Sequence, residues 1–374
     1  MSHLLSEFPK KVNEERFIHV GDVLVNSTGT GTLGRVAQIR QEPKEPTTVD
    51  SHVTIVRPKS NIFFQDFFGY MLIFIEDSIK AAGEGCGGQT ELAKSVLANN
   101  FTVAYPTSLV EQQRIVTILD EAFEAIAAAR ANAEHNRQNA RALFESYLQS
   151  VFSQRGDGWV ERKLGDQTLL RMIDGDRGTN YPKATDFLDH GPCLFLNTKN
   201  VRPNGFEFDS TMFISAEKDA QLRKGKLQRN DVVMTTRGTI GNIGLYSEEV
   251  PFDSVRINSG MLIFRANQTE ILPAYLFEIL RSGIVKEQIN KYTTGAAQPQ
   301  LPIKTLVNFS IPVPTTLAGQ SELVKRIRDF EPETQRLESL YQSKIAALDE
   351  LKQSLLQHAF SGQLDTTRQE MLTV

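Results

Sequence analysis

Residues 105–116, YPTSLVEQQRIV, return further along the chain as VPTTLAGQSELV at residues 313–324, an offset of 208 positions. The same offset continues without a gap to the far end of both segments, where Phe152 aligns with Phe360. So many matches at one offset indicate an internal duplication, and a duplication determines the architecture of the whole chain.

The duplication extends upstream of these two stretches. GDVLVNSTGTGTLGRVA, from Gly21, aligns with NDVVMTTRGTIGNIG, from Asn230, with two extra residues in the first copy. The second copy opens with WVERKLGD at Trp159, and this opening has no counterpart ahead of the first copy. We therefore expect the first copy to be N-terminally incomplete.

Each copy consists of a mixed α/β region followed by a long helix. Apolar residues of the first helix recur every three or four positions, which is the spacing of one helix face, at Ile115, Leu119, Phe123 and Ile126. Leu337, Tyr341, Ile345 and Leu348 form the matching stripe of the second helix. Pro332 lacks the amide that a helix interior needs, so we expect a short helix over residues 317–330 and then a long one.

Neither helix is apolar on all sides, so each needs a partner for its stripe. Two copies separated by a complete domain can pair as an antiparallel coiled coil, and a helix over residues 109–152 would be roughly 66 Å long. The alternative is that each helix packs only on its own domain. We favour pairing and predict an α+β fold, with two pseudo-repeated α/β domains joined by two long helices that form an antiparallel coiled coil.

The glycine-rich segment GTGTLG at residues 29–34 has the spacing of a dinucleotide-binding loop. Such a loop requires a helix after it, whereas the sequence continues with the strand-like RVAQI from Arg35. The second copy keeps only GTIG, from Gly238, and is also followed by a strand-like segment. Both segments are therefore predicted to be β-hairpin turns.

The composition, with 40% hydrophobic and 23% charged residues and a net charge of −4, excludes a disordered chain and a uniformly basic DNA binder. The most apolar run, residues 67–75, is shorter than the about 20 residues that a membrane span needs. The N-terminus lacks the apolar core of a secretory signal. We expect a cytoplasmic protein that does not span a membrane.

Motifs for catalysis are scarce. The histidines and the two cysteines show no metal-ligand spacing, and no P-loop or nucleophile motif occurs. Asp174 and Asp176 could bind a metal ion, but they also suit turns around Gly175 and Gly178. We predict no catalytic residue and no metal site; a nuclease that uses the two aspartates is the enzymatic alternative.

Polar and cationic residues concentrate in three loops of the second copy, and Arg, Lys and Asn are the side chains that contact phosphates and purine edges. A charged run is commonly only a solvated surface, but three such loops in one domain favour DNA. With residues of the two glycine turns, the predicted DNA-binding set is Thr28, Thr30, Arg35, Arg177, Asn180, Tyr181, Lys183, Asn197, Lys199, Asn200, Arg223, Lys224, Lys226, Thr236 and Arg237.

These residues resemble a known family, the specificity subunit of type I restriction–modification enzymes. The resemblance covers nearly the whole chain and rests on the repeat and on four phrases: LVEQQRIVTILDEAFEAI from Leu109, LFESYLQSVF from Leu143, WVERKLGD and DGDRGTNYP. It implies five segments: target-recognition domains over 1–108 and 156–316, spacer helices over 109–155 and 317–364, and a polar tail over 365–374.

The resemblance also implies the function and the partners. The subunit would recognise a bipartite site in double-stranded DNA and dock two methyltransferase subunits and the restriction (motor) subunits, without chemistry of its own. S-adenosylmethionine, ATP and magnesium would bind the partner subunits, and no cofactor would bind this chain. The alternative is an assembly scaffold whose DNA reading is impaired by the N-terminal truncation.

Overall fold

The structure is a computed structural model that describes residues 14–59, 61–83, 91–293 and 300–362. The chain forms two compact units: unit 1 comprises residues 1–136 and 340–374, and unit 2 comprises residues 137–339. The predicted tail at 365–374 lies outside the described residues. Within the described ranges, no helix combines the length and the apolar character that crossing a bilayer requires.

Unit 1 is built on a small antiparallel sheet in the order β2-β1-β3. Its apolar strand residues pack against α1, and Val23 and Phe67 are fully buried there. The elements are a 3-10 turn (Glu14–Arg16), β1 (Val23–Asn26), β2 (Val36–Gln38), β3 (Val53–Val56), α1 (Gln65–Phe74), α2 (Glu76–Ala81), α3 (Lys94–Asn99) and the long helix α4 (Leu109–Ser153), whose last part belongs to unit 2.

Unit 2 has a four-stranded sheet, β11-β10-β13-β5, a three-stranded sheet, β12-β6-β9, and two strand pairs, β14-β4 and β7-β8. The elements are β4 (Trp159–Lys163), β5 (Leu170–Asp174), 3-10 turns at Ala184–Asp186 and Thr198–Asn200, β6 (Cys193–Leu196), β7 (Val201–Arg202), β8 (Gly205–Phe206), β9 (Phe213–Ile214), α5 (Ala216–Gln221), β10 (Val232–Thr235), β11 (Ile243–Leu245), β12 (Val255–Ile257), β13 (Met261–Ala266), α6 (Pro273–Arg281), α7 (Gly283–Thr293), α8 (Ile303–Leu306), β14 (Ser310–Pro314) and the long helix α9 (Leu317–Phe360), whose last part belongs to unit 1.

The two long helices pair antiparallel. In unit 1, Arg130 of α4 forms an ion pair with Asp349 of α9 at 3.0 Å. In unit 2, Arg141 pairs with Glu338, and the Tyr147 ring lies 4.2 Å from that of Phe330, so the numbering falls along α9 as it rises along α4. The predicted coiled coil is confirmed, and the alternative in which each helix packs only on its own domain is wrong.

One prediction about the second helix is wrong. We expected a short helix over 317–330 and a break at Pro332, but α9 is a single helix with Pro332 in its interior. The cause is packing on both sides of the proline, where Ile327 and Thr334 are both buried. Burial of this face stabilises the helix by more than the loss of one backbone hydrogen bond costs.

A buried glutamine repeats the same contacts in each unit. In unit 1 the Gln112 side chain accepts a hydrogen bond from the Phe64 amide and donates to the carbonyls of Ile62 and Pro106. In unit 2 the Gln320 side chain, 208 positions later, makes the equivalent bonds with Leu272, Glu270 and Pro314. The duplication seen in the sequence is therefore present in the side-chain contacts.

Both glycine segments are hairpin loops, as predicted. The loop from β1 to β2 holds Gly29, Gly31 and Gly34 at positive φ, and the loop from β10 to β11 does the same with Gly238 and Gly241. Because a strand and not a helix follows each loop, neither segment can present a helix N-terminus to a phosphate.

Candidate DNA interface

Several loops of unit 2 converge on one turn, Asn258-Ser259-Gly260. The Arg177 guanidinium donates to the Ser259 carbonyl at 3.3 Å, and the Ser259 amide lies 3.4 Å from the Tyr181 hydroxyl. On the other side, the Arg237 amide donates to the Gly260 carbonyl at 3.2 Å. The turn therefore joins two of the loops that the sequence predicted as a DNA surface.

Asp176 connects this region to the cationic loop at 222–226. Its carboxylate accepts hydrogen bonds from the backbone amides of Gly178 (2.7 Å), Arg223 (2.8 Å) and Lys224 (3.4 Å). The amide of Gly178, followed by those of Arg223 and Lys224, holds the pKa of Asp176 below its usual value despite burial. Asp176 is therefore an organiser of two loops, which agrees with the turn interpretation and not with a metal ligand.

Two glycines allow these loops to approach closely. A Cβ atom on Gly175 would lie 2.2 Å from the Asn258 carbonyl oxygen, and Gly225 has φ +84° with Gly175 beside it. A larger side chain at Gly175 would separate the loops. The resulting cleft, of about 360 Å³, has Arg177, Arg223 and Lys224 in its lining together with Asp174 and Asp176.

The predicted residues after Arg177 differ in accessibility. Asn180 is exposed, and its side-chain amide lies 3.4 Å from the Gln221 carbonyl. Tyr181 is half-buried, with its ring edge-on to Phe195 at 5.9 Å. Lys183 is exposed beside the 3-10 turn at Ala184–Asp186. Asn180 and Tyr181 thus contribute mainly to the positions of neighbouring loops.

The loop after β6 contains one residue that sequence reasoning placed incorrectly. Asn200 is 1% exposed, and its amide donates to the carbonyls of Glu207 and Ser210, so its side chain supports the loop from inside and does not face solvent. Asn197 caps the 3-10 turn at Thr198–Asn200, where its side-chain oxygen accepts a hydrogen bond from the Lys199 amide at 2.8 Å. Lys199 is exposed and stays a predicted contact.

The predicted cations fall into two groups. Within the described part of unit 2, no carboxylate pairs with the exposed side chains of Arg223, Lys224 and Arg237. Lys226, by contrast, forms an ion pair with Asp219, and Arg177 forms one with Asp174 at 3.1 Å. The group without ion pairs is better suited to phosphates and base edges, because its members break no ion pair within the protein when they bind.

Asp219 also holds a buried arginine under the cationic loop. Arg256 pairs with the Asp219 carboxylate and donates to the carbonyls of Lys224 (2.8 Å) and Leu222 (3.0 Å). Burial alone would raise the pKa of Asp219, but hydrogen bonds from Lys226 and Arg256 lower it overall. Thr236 is 6% exposed, and its backbone bonds with Gly260 and Leu301 fix the base of the Arg237 loop.

In unit 1 the three predicted residues lie on the β1–β2 loop. The Thr28 hydroxyl lies 2.9 Å from Nδ1 of His52, and Thr30 and Arg35 are exposed. Of the 15 predicted residues, Asn200 and Thr236 are buried, and the other 13 stay predicted DNA contacts. Among described residues, no cluster of three or more metal-ligand side chains occurs.

The family model described as "Type I restriction modification DNA specificity domain" matches residues 4–134 and 156–345, which is most of the chain. The chain belongs to this family. Each match falls on one copy of the duplication and includes part of the long helix that follows it. The family supplies DNA specificity and is not a catalytic one, so the chain is a non-catalytic DNA specificity subunit.

Relatives agree along nearly the whole length. The EcoBI type I restriction enzyme specificity subunit from Escherichia coli is 28% identical over 395 residues, covering 96% of this chain and 82% of the relative. A structure described as "Structural basis underlying complex assembly and conformational transition of the type I R-M system" matches with a TM-score of 0.75 and 18% identity. The match covers 93% of this chain and 83% of the chain in that structure. The HsdS subunit from Thermoanaerobacter tengcongensis matches at 0.50, with 19% identity and coverage of 93% and 82%.

Sequence reasoning missed one element of the candidate DNA interface, the turn at Asn258–Gly260. Three uncharged residues carry no electrostatic signal, although they contact loops that do. The repeat was the usable signal, because Asn258-Ser259-Gly260 aligns with Asp50-Ser51-His52 at the offset of 208.

Proposed function

We propose that this chain reads the two halves of a bipartite DNA site, one with each unit, as the specificity subunit of a type I restriction–modification complex. The observation that carries the proposal is the convergence of the Arg177, Arg223–Lys224 and Arg237 loops, through Asp176 and the 258–260 turn, into one surface. On this surface Arg223, Lys224 and Arg237 have no ion-pair partner among the described residues, whereas Arg177 pairs with Asp174. Cations held by organised loops suit the phosphates and groove edges of a duplex.

Arg237 is the residue proposed to read a base. It is exposed near the start of the β10–β11 loop, while its backbone is fixed by Gly260. A guanidinium on a fixed backbone can make the bidentate contact with guanine that gives about 1–3 kcal/mol of discrimination. Arg223 and Lys224 lie on the adjacent loop and are proposed to contact phosphates.

The long helices are proposed to dock two copies of the methyltransferase subunit. Leu143 of α4 is 49% exposed and Leu351 of α9 is 47% exposed, and the two occupy equivalent positions of the repeat. Large apolar side chains in solvent are typical of contact points for partners. Two equivalent leucines support two identical docking sites, with S-adenosylmethionine, ATP and magnesium on the partner subunits and the assembled complex in the cytoplasm.

Methylation mapping tests the DNA-reading proposal. DNA from a host that carries this chain with its methyltransferase should show one methylated bipartite motif, and Arg237→Ala should relax the sequence of one half-site. Lys163→Ala is the matched control, since Lys163 is an exposed cation of the same unit on β4, which pairs with β14. A methyltransferase that co-purifies but methylates no defined motif would favour the assembly scaffold instead.

Native mass spectrometry tests the docking proposal. Leu143→Asp or Leu351→Asp should each reduce the bound methyltransferase from two copies to one, because a buried unpaired charge is costly at an interface. Leu188→Asp, on a leucine that is 44% exposed in the α/β region of unit 2, should leave two copies bound. Full binding by the Leu143→Asp/Leu351→Asp double variant would rule out these docking points.

A further inference from the structure

The turn that organises the DNA surface of unit 2 has a counterpart in unit 1. The Asn258 side-chain oxygen accepts a hydrogen bond from the Gly260 amide at 2.8 Å. The Asp50 side-chain oxygen accepts one from the His52 amide, also at 2.8 Å. In unit 1, the sequence Asp50-Ser51-His52 therefore forms the same side-chain-capped turn that unit 2 forms with Asn-Ser-Gly.

Both turns are attached to the neighbouring hairpin loop by the same bond. In unit 1 the Ser27 amide donates to the His52 carbonyl at 2.7 Å, and in unit 2 the Thr236 amide donates to the Gly260 carbonyl at 2.7 Å. A second backbone hydrogen bond also recurs. The Ser27 carbonyl accepts from the Leu92 amide in unit 1, and the Thr236 carbonyl accepts from the Leu301 amide in unit 2. Unit 1 thus has the same backbone framework as the proposed DNA surface of unit 2.

The side chains on this shared framework differ. In unit 2 the turn ends in a glycine, and the loop carries Arg237 next to it. In unit 1 the loop carries Thr28 in place of Arg237, and the turn ends in the exposed His52. The Thr28 hydroxyl and His52 Nδ1 are 2.9 Å apart, which orients the imidazole and leaves Nε2 as its other polar atom.

We propose that His52 is a specificity-determining residue for the half-site of unit 1, with Thr28 as the positioning residue that orients its ring. The inference rests on the proposed DNA-reading function. Glu91 stands opposite Thr28 in the backbone pairing, where Gln300 stands opposite Arg237. The matching pairings place His52 at the position in unit 1 that corresponds to the glycine beside Arg237 in unit 2, so Nε2 is proposed to contact a base edge as Arg237 is. The two half-sites are consequently read by unlike side chains, an imidazole and a guanidinium.

The test measures competition among duplexes by the full chain bound to its methyltransferase. The competitors carry the methylated motif with single base-pair substitutions in either half-site. His52→Gly should lower discrimination at one base pair by about fivefold, the contribution of one hydrogen bond. His52→Gln is the second variant, because it keeps a side chain that can form hydrogen bonds. The melting temperatures of both His52 variants are measured to show that each is folded. His19→Ala is the control, because His19 is exposed in the same unit ahead of β1.

The result that supports the proposal is a changed preference in the half-site that Arg237→Ala leaves unaltered, for His52→Gly and for His52→Gln, with wild-type behaviour of His19→Ala. Wild-type discrimination by both His52 variants would overturn the assignment of His52 while the proposed function stands. A change confined to the half-site of Arg237 would overturn it as well. A wild-type complex that discriminates in neither half-site would instead refute the proposed function, and the inference with it.

Discussion

Replacing Gln112 by alanine should destabilise unit 1 by about 2–4 kcal/mol. Gln112 is fully buried, and its side chain binds the Phe64 amide at 2.7 Å and the carbonyls of Pro106 and Ile62 at 2.8 and 3.1 Å. Each buried group left without a partner costs about 1–3 kcal/mol, and among the described residues Gln112 supplies the acceptor for the Phe64 amide. For a unit of this size, the estimate corresponds to a fall of roughly 5–15 °C in Tm.

Hydrogen–deuterium exchange of the full chain is the suitable assay, because it locates the loss in one unit. Gln112→Ala should accelerate exchange in α1, and Gln320→Ala should do the same in α6. Gln113→Ala is the matched control, since Gln113 is the exposed neighbour on α4. The reasoning is refuted if Gln112→Ala protects its unit as well as Gln113→Ala does, or if each variant loosens the opposite unit.

Three further predictions concern unit 2. Asp176→Ala should weaken DNA binding, because the backbone amides of residues 223 and 224 lose their acceptor. The pKa of Asp176 lies below its usual 3.8, so the stability that its carboxylate contributes is complete above that pH and is lost in stronger acid. Urea unfolding of the variant should lack this acid-dependent loss of stability. Lys224→Ala should weaken binding to all sequences and reduce the slope of log affinity against log salt by about 1 in titrations of duplex DNA. Burial raises the pKa of Glu278 from 4.5 to about 7 despite Arg281, so stability should fall as pH rises between these values, and urea unfolding of Glu278→Gln should show a flatter profile there.

The repeat made the architecture predictable from sequence. An apolar stripe and its copy 208 positions later predicted both helices, and α4 begins at Leu109 as expected. Pro332 could not be placed from local preference alone, because tertiary packing of its neighbours decides whether a helix continues. Asn200 shows the same limit: its residue type suits a base contact, but only the fold reveals that the amide is turned inward. The loops were found from charge, whereas the uncharged turn between them was not.

The core contacts determine which segment can fold alone. The core of unit 2 contains Leu148 and Phe152 from the end of α4, and Val324 and Ile327 from the start of α9, all within residues 137–339. We therefore expect the fragment 137–339 to unfold cooperatively, as judged by near-ultraviolet circular dichroism in urea. The predicted domain alone, 156–316, lacks all four side chains, and burial of each one stabilises the fold by about 1.5–3 kcal/mol. We therefore expect this shorter fragment not to unfold cooperatively. Equal cooperativity of the two fragments would show that the helix ends cover a core that is already complete, and the helices would then be spacers only.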